Sequence, residues 1–144
     1  MPIEKRIRDK AFTKDDLLTA ANNELGPVLR LTREAVNQLI SGPRAISSSL
    51  GVLEIDWASY RHYQCTLTQS ITSIIFTHSA HAGGEFAIRF IQGTGAYTIT
   101  GWPSTVHWVG GVRPTMTSTN GRSDLFKLYY DGANYWTEVS QNYV

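Results

Sequence analysis

Gly83-Gly84-Glu85-Phe86-Ala87-Ile88-Arg89-Phe90-Ile91-Gln92-Gly93 is the stretch on which the fold reading turns. It is short, rich in aromatic and branched side chains and bounded by glycines, which marks a strand rather than a helix. Runs of the same texture recur at 50–55, 60–67, 71–77, 97–100, 105–109, 125–130 and 135–139, separated by Gly, Pro, Asn and Asp. Asp131-Gly132-Ala133-Asn134, between the last two runs, reads as a hairpin turn. About eight short strands at this spacing predict a mainly β protein: a single β-sandwich or jelly-roll-like domain over residues 45–144. No internal repeat stands out.

Upstream the texture is helical. Thr13-Lys14-Asp15-Asp16 has an N-cap residue followed by carboxylates that suit the positive end of a helix dipole. Leu17, Leu18, Ala21 and Leu25 give that helix one apolar face. Gly26-Pro27 interrupts it, and Pro27 can open a second helix that Ser41-Gly42-Pro43 closes. Leu18, Ala21, Leu25, Val28, Thr32, Ala35 and Leu39 follow alternating steps of three and four, the spacing of a coiled-coil seam. The Pro27 break and the small or polar seam positions equally suit a plain helical hairpin. Residues 1–12 show no clean period and read as an arm ordered by a partner. The sequence thus divides into a short helical N-terminal arm, 1–44, and a β domain, 45–144.

Charge follows the same division. Residues 1–44 carry 8 basic and 6 acidic side chains, residues 45–144 only 5 and 6. The β region therefore has a surface of Ser, Thr, Asn, Gln, Gly and aromatics, which suits packing against other subunits. A net charge of +1 gives no reason to expect a nucleic-acid or membrane partner. No stretch approaches the length of an apolar membrane span. Met1-Pro2-Ile3-Glu4-Lys5-Arg6 has no apolar run behind it, so no secretory signal is expected. Cys65 is the single cysteine, which rules out an intrachain disulfide.

Candidate chemistry is sparse. The histidines are His62, His78, His81 and His107, and the pair His78 and His81 is too few for a closed metal site in one chain. There is no Gly-x-Ser-x-Gly nucleophile elbow, and Gly93-Thr94-Gly95 is a turn, too short to cradle phosphate. No catalysis, metal or cofactor is expected. Aromatics are the strongest feature, with 15 of 16 after residue 56. Trp57, Trp102, Trp108 and Trp136 could form a glycan-binding platform, although filling a core or an oligomer interface is the favoured role.

From about residue 66 to 139 the chain resembles a β module of tailed-bacteriophage tail fibre knobs, head fibres and capsid decoration proteins. The residues that carry the resemblance begin with Thr66-Leu67-Thr68, Gly84 to Gln92, and Gly93-Thr94-Gly95. Tyr97-Thr98-Ile99-Thr100, Trp102-Pro103 and Val106-His107-Trp108-Val109-Gly110-Gly111 with Pro114 follow. Asp124-Leu125-Phe126 and Tyr130-Asp131-Gly132-Ala133-Asn134-Tyr135-Trp136 end the series. The resemblance covers half the chain, carries no catalytic residues, and implies a β-sandwich that trimerises.

The expectation is a virion structural protein assembled in the host cytoplasm. As a capsid decoration (cement) or head-fibre protein it would bind the major capsid protein or another virion protein. Ile3, Ile7 and Phe12 would anchor the arm and Lys5 and Arg6 would guide it, with Leu18, Leu25, Val28 and Leu39 joining the subunits. The alternatives are a tail fibre or receptor-binding knob contacting a host surface glycan, and a lectin-like module unrelated to virions. Light scattering is expected to find a homotrimer of the 16.1 kDa chain; a monomer both in solution and on the particle would contradict this.

Overall fold

The computed structural model describes residues 42–144. The helical segment, the arm residues Ile3, Lys5, Arg6, Ile7 and Phe12 and the seam residues Leu18, Leu25, Val28 and Leu39 lie outside the described residues. The β unit, Pro43–Val144, is described by itself.

Its strands are β1 (Arg44–Ile46), β2 (Val52–Asp56), β3 (His62–Leu67), β4 (Ser73–His78), β5 (Gly84–Gln92), β6 (Val106–Trp108), β7 (Ser123–Tyr130) and β8 (Tyr135–Tyr143). They make a six-stranded sheet in the order β1-β3-β5-β7-β8-β6 and a two-stranded sheet of β2 and β4. Through β5, each strand pairs in parallel with the next but one: β1 with β3, β3 with β5, and β2 with β4. The chain passes from one sheet to the other and back, laying each coil on the previous one. This is the arrangement of a β-solenoid. It corrects the expected sandwich or jelly roll, in which neighbouring strands would run antiparallel.

The physical reason for the difference is simple. Alternation tells which side chains of a strand are buried, but not which strand lies alongside. Gly, Pro, Asn and Asp mark a solenoid corner as readily as a hairpin. Coil length is also irregular: Arg44 lies beside Tyr63 and Tyr63 beside Ile88, so no fixed period is visible. Two further details differ. β1, only three residues long, carried no alternation to reveal it. The run at 97–100 forms no named strand and meets the coil below through the parallel bridge of Ile71 and Ile99.

After β5 the pattern changes. β7 pairs antiparallel with β5, β8 antiparallel with β7, and β6 lies parallel to β8. The expected hairpin is present. Asp131 N–H donates to Asn134 O, and Asp131 Oδ1 accepts from the N–H groups of Ala133 (2.8 Å) and Asn134 (2.7 Å).

The core lies between the two sheets. Tyr63, Cys65 and Leu67 of β3, Phe86, Ile88 and Phe90 of β5, and Phe126, Leu128 and Tyr130 of β7 point inward. Leu53 and Ile55 of β2 and Ile74 of β4 complete it. Each fully buried large aliphatic or Phe side chain contributes about 1.5–3 kcal/mol.

Stacking the coils brings backbone onto backbone at two glycines. A Cβ on Gly93 would lie 2.0 Å from the carbonyl oxygen of Leu67, and one on Gly101 1.9 Å from that of Thr72. Gly101 O also accepts a 2.6 Å hydrogen bond from Ile74 N–H, so the contact cannot open without losing a rung. Gly42, by contrast, has nothing among the described residues within 4 Å of its Cβ position.

Gly101→Ala is therefore expected to cost about 2–3 kcal/mol, and Gly42→Ala close to nothing. Cys65 provides the readout. It is fully buried, and burial pushes its thiol up to about 11, so a thiol reagent reaches it only through opening of the fold. Labelling of Gly101→Ala should be roughly 30- to 150-fold faster than that of the parent. Equal rates for the two variants would contradict the coil stacking.

Candidate functional site

The six-stranded sheet buries one face, and the residues between the buried ones point away from the core. On β5 these are Glu85, Ala87 and Arg89, on β7 Leu125, Lys127 and Tyr129, and on β8 Trp136 and Glu138. Register lines them up in rows. Glu85 pairs with Tyr129, Tyr129 with Trp136, and Trp136 with His107 of β6. In the next row His62 pairs with Ala87, Ala87 with Lys127, and Lys127 with Glu138. An aromatic row thus lies against a charged row. All of these residues but His107 line an open groove of about 470 Å³, within the size range of small-molecule sites.

Trp136 is the best-held exposed residue of this face. It is 51% exposed, yet its indole N–H donates to Asp131 Oδ2 at 2.7 Å. Its ring stacks on His107, with centroids 4.9 Å apart and planes 24° apart. His107 Nε2 is in turn 3.1 Å from Asn134 Oδ1. The hairpin that joins β7 to β8 therefore also fixes the indole. The N–H of Asn134, the indole N–H of Trp136 and the N–H of Ala133 all favour the Asp131 carboxylate and hold its pKa below the ordinary value.

The other three tryptophans of the expected glycan platform are placed elsewhere. Trp57 is buried, edge-on to Tyr63, Phe76 and Phe86, and its Nε1 has no hydrogen-bond partner among the described residues. Trp102 is half-buried, stacked on Phe126 at 5.1 Å and edge-on to Trp108 at 5.1 Å. Trp108 is also half-buried and meets Phe126 edge-on. These three pack with the core, the favoured role for them, and of the four only Trp136 is exposed on the outer face.

The histidines do not converge. His62 lines the groove and His107 stacks on Trp136, while His78 Nδ1 is 3.2 Å from Asp56 Oδ1. Asp56 also accepts from Ser59 Oγ (2.6 Å) and Ala58 N–H (3.0 Å). Burial pushes its pKa up, but those two donors and His78 outweigh it and the net shift is downward. Ser59 donates to the aspartate rather than to the imidazole, so the three residues lack the order of a nucleophile–base–acid relay. Among the described residues no group of three His, Cys, Asp or Glu side chains is placed to hold a metal ion.

Two buried polar side chains act on the loops. Gln92 Nε2 donates to the carbonyls of Tyr97 (3.0 Å) and Thr117 (2.8 Å), and its Oε1 accepts from Tyr97 N–H at 3.2 Å. Asp124 accepts from Thr117 N–H (2.7 Å), Thr117 Oγ1 (2.6 Å) and Asn142 N–H (3.0 Å). Both tie the segment after β6 to the sheet, and their donors and acceptors are spent on doing so.

Glu85, Lys127, Tyr129, Glu138 and His62 were not among the expected site residues. Part of the signal was present: pairing 130 with 135 across the predicted hairpin sets Tyr129 opposite Trp136 and Lys127 opposite Glu138. Glu85 and His62 join only through the β3–β5–β7 register. No protein family, curated protein or solved structure matches the chain. Among the described residues no helix is long and apolar enough to cross a membrane.

The depressed pKa of Asp131 sets a pH test. A carboxylate favoured in the folded protein keeps its partners above the ordinary aspartate value of 3.8 and releases them only as pH falls through the lower value. The Trp136 indole N–H resonance is therefore expected to show a titration step with its midpoint below 3.8, which Asp131→Asn removes. Absence of any Asp131-dependent step below 3.8 would show that the Asp131–Trp136 bond is not made.

Proposed function

We propose that the protein is a non-enzymatic structural component of a tailed-bacteriophage virion, a capsid decoration (cement) or head-fibre protein that binds and stabilises the major capsid shell. The division of the chain carries this reading: 14 of its 25 charged side chains fall in residues 1–44, and the charge-poor remainder folds as stacked coils. Chains that keep their charge in one terminal segment can use it for docking while a second part is displayed. The exposed apolar side chains Val109, Val112, Tyr143 and Val144 of the β unit suit contact with neighbouring subunits. The buried polar groups Gln92 and Asp124 are already committed to holding loops, which leaves them out of chemistry.

In this reading the protein assembles as a homotrimer through Leu18, Leu25, Val28 and Leu39, and sits on the capsid of a particle built in the host cytoplasm. Ile3, Ile7 and Phe12 hold the arm on the capsid, each worth roughly 1.5–3 kcal/mol if fully buried, while Lys5 and Arg6 guide docking. The second reading, a tail fibre or receptor-binding knob, is favoured by one observation, the half-exposed Trp136 beside the groove.

Deletion of residues 2–12 is expected to abolish binding to virions that lack the protein while leaving the trimer and the β unit intact. Replacing Ile3, Ile7 and Phe12 with Ala should weaken binding more than replacing Lys5 and Arg6 with Gln, most clearly at high salt, where surface charge is screened. Undiminished binding by the deletion variant would overturn the attachment role of the arm. A copy number of a few per particle would favour the tail.

A further inference from the structure

We propose that the groove on the outer face of the six-stranded sheet binds a neutral saccharide, with one pyranose ring laid on the free face of Trp136 and its hydroxyls donating to Glu85 and Glu138. This goes beyond the structural role above and holds whichever part of a virion carries the chain.

Only part of Trp136 is left to meet a ligand. An exposed indole ordinarily rotates and uses either its N–H or its faces. Here the N–H is consumed by Asp131 Oδ2 at 2.7 Å, and the His107 ring covers the indole from the β6 side. Trp136 is about half exposed and belongs to the lining of the groove, so the ring surface that His107 leaves uncovered is what a ligand can reach. A ligand can therefore meet this ring only by lying flat against it. It also finds the ring already held in place, so little side-chain entropy is lost on binding.

The charged row decides what kind of flat ligand fits. Its Glu138 and Lys127 lie side by side on β8 and β7 with His62 beyond on β3, and Glu85 of β5 ends the aromatic row next to it. Carboxylates accept hydrogen bonds from hydroxyls, and an ammonium donates to hydroxyl or ring oxygens. A pyranose presents both halves of this pattern: an apolar C–H face for the indole and a rim of hydroxyls for the charged row. With two carboxylates against one ammonium, an anionic ligand such as a uronic or sialic acid is disfavoured. A quaternary ammonium ion would want several aromatic faces around it. Tyr129 is 46% exposed beside Trp136 on the neighbouring strand, but the two rings line one side of the groove and do not enclose it. A nucleobase could stack on the indole, but would leave the two carboxylates without the hydroxyl rim that they suit.

The test uses the full chain and defined probes: maltotriose, cellotriose, chitotriose and β-galactotriose as neutral ligands, trigalacturonate as the anionic one, and tetramethylammonium as the cation. At least one neutral trisaccharide should shift the Trp136 indole resonance saturably at millimolar concentration. Trp136→Ala should weaken that ligand at least roughly tenfold, as loss of a central aromatic anchor does. Trp136→Phe should keep most of the affinity. Because Trp136 is half-exposed, Trp136→Ala should leave Cys65 as protected from thiol reagents as in the parent, which separates loss of binding from loss of fold. Trigalacturonate should bind at least roughly tenfold more weakly than the neutral ligand, and Glu85→Gln with Glu138→Gln should narrow that difference. The proposal is overturned if no neutral trisaccharide binds at 20 mM or below ("~20 mM" being weak even for a single anchored ring), or if binding survives Trp136→Ala. It is overturned equally if trigalacturonate or tetramethylammonium is the preferred ligand.

Discussion

Strand β5 is hydrogen-bonded on both edges in opposite senses, parallel to β3 and antiparallel to β7, and the β unit depends on that reversal. A parallel ladder can be extended only by another full coil, because the chain must travel around and return to the same end of the sheet. It would otherwise finish in a row of unpaired N–H and C=O groups, open to further strands. After β5 the chain instead makes a long excursion, returns antiparallel as β7, and needs only a tight turn to reach β8. Among the described residues the six-stranded sheet then ends at β1 on one side and β6 on the other, each three residues long. Short edges offer little template for unwanted pairing.

The reversal also explains where the buried polar groups sit. Gln92 ends β5 and Asp124 lies near the start of β7, where the long excursion between them must be brought back onto the sheet. Backbone groups in such a connection have no ladder to join. Gln92 supplies two donors and an acceptor, Asp124 an acceptor set, and both converge on Thr117. An unsatisfied buried N–H costs about 1–3 kcal/mol, so a polar side chain inside the sheet is the less costly arrangement there. Gln92 at the end of the apolar strand and Asp124 at the head of the aromatic strand were among the residues that carried the sequence resemblance. Their role was not legible, because no local pattern shows that Tyr97 and Thr117, five and seven residues away, fold back onto them.

How much could be read in advance follows from which properties are local. The apolar run of β5, the alternation in β7 and β8 and the Asp131 turn are local, and the structure has them where the sequence places them. Pairing sense is not local. β2 and β4 could have been neighbours of β3 in a meander, and only the structure shows that each skips a strand. Trp57, Trp102, Trp108 and Trp136 are indistinguishable as residue types. What separates them is that Trp57 follows a strand of the two-stranded sheet and turns into the core, while Trp136 occupies an outward position of β8. The groove was harder still to foresee, since its lining comes from four strands of which only β7 and β8 are consecutive in the chain.

Aromatic placement connects the fold to the surface it presents. Most rings of the β unit meet other rings edge-on or stacked between the sheets, where each buries area that favours folding. Trp136 departs from this, because leaving half an indole in water forgoes part of that gain. Stability alone would be served as well by a smaller residue on the outer face. The indole is nevertheless fixed by a charged acceptor, by a stacked imidazole, and by a turn whose own backbone is tied to the same aspartate. Fixing an exposed ring costs side-chain entropy and adds little to the core. That cost has a physical return only when something else comes to lie on the ring, since a surface ordered before binding leaves less freedom to be lost on binding.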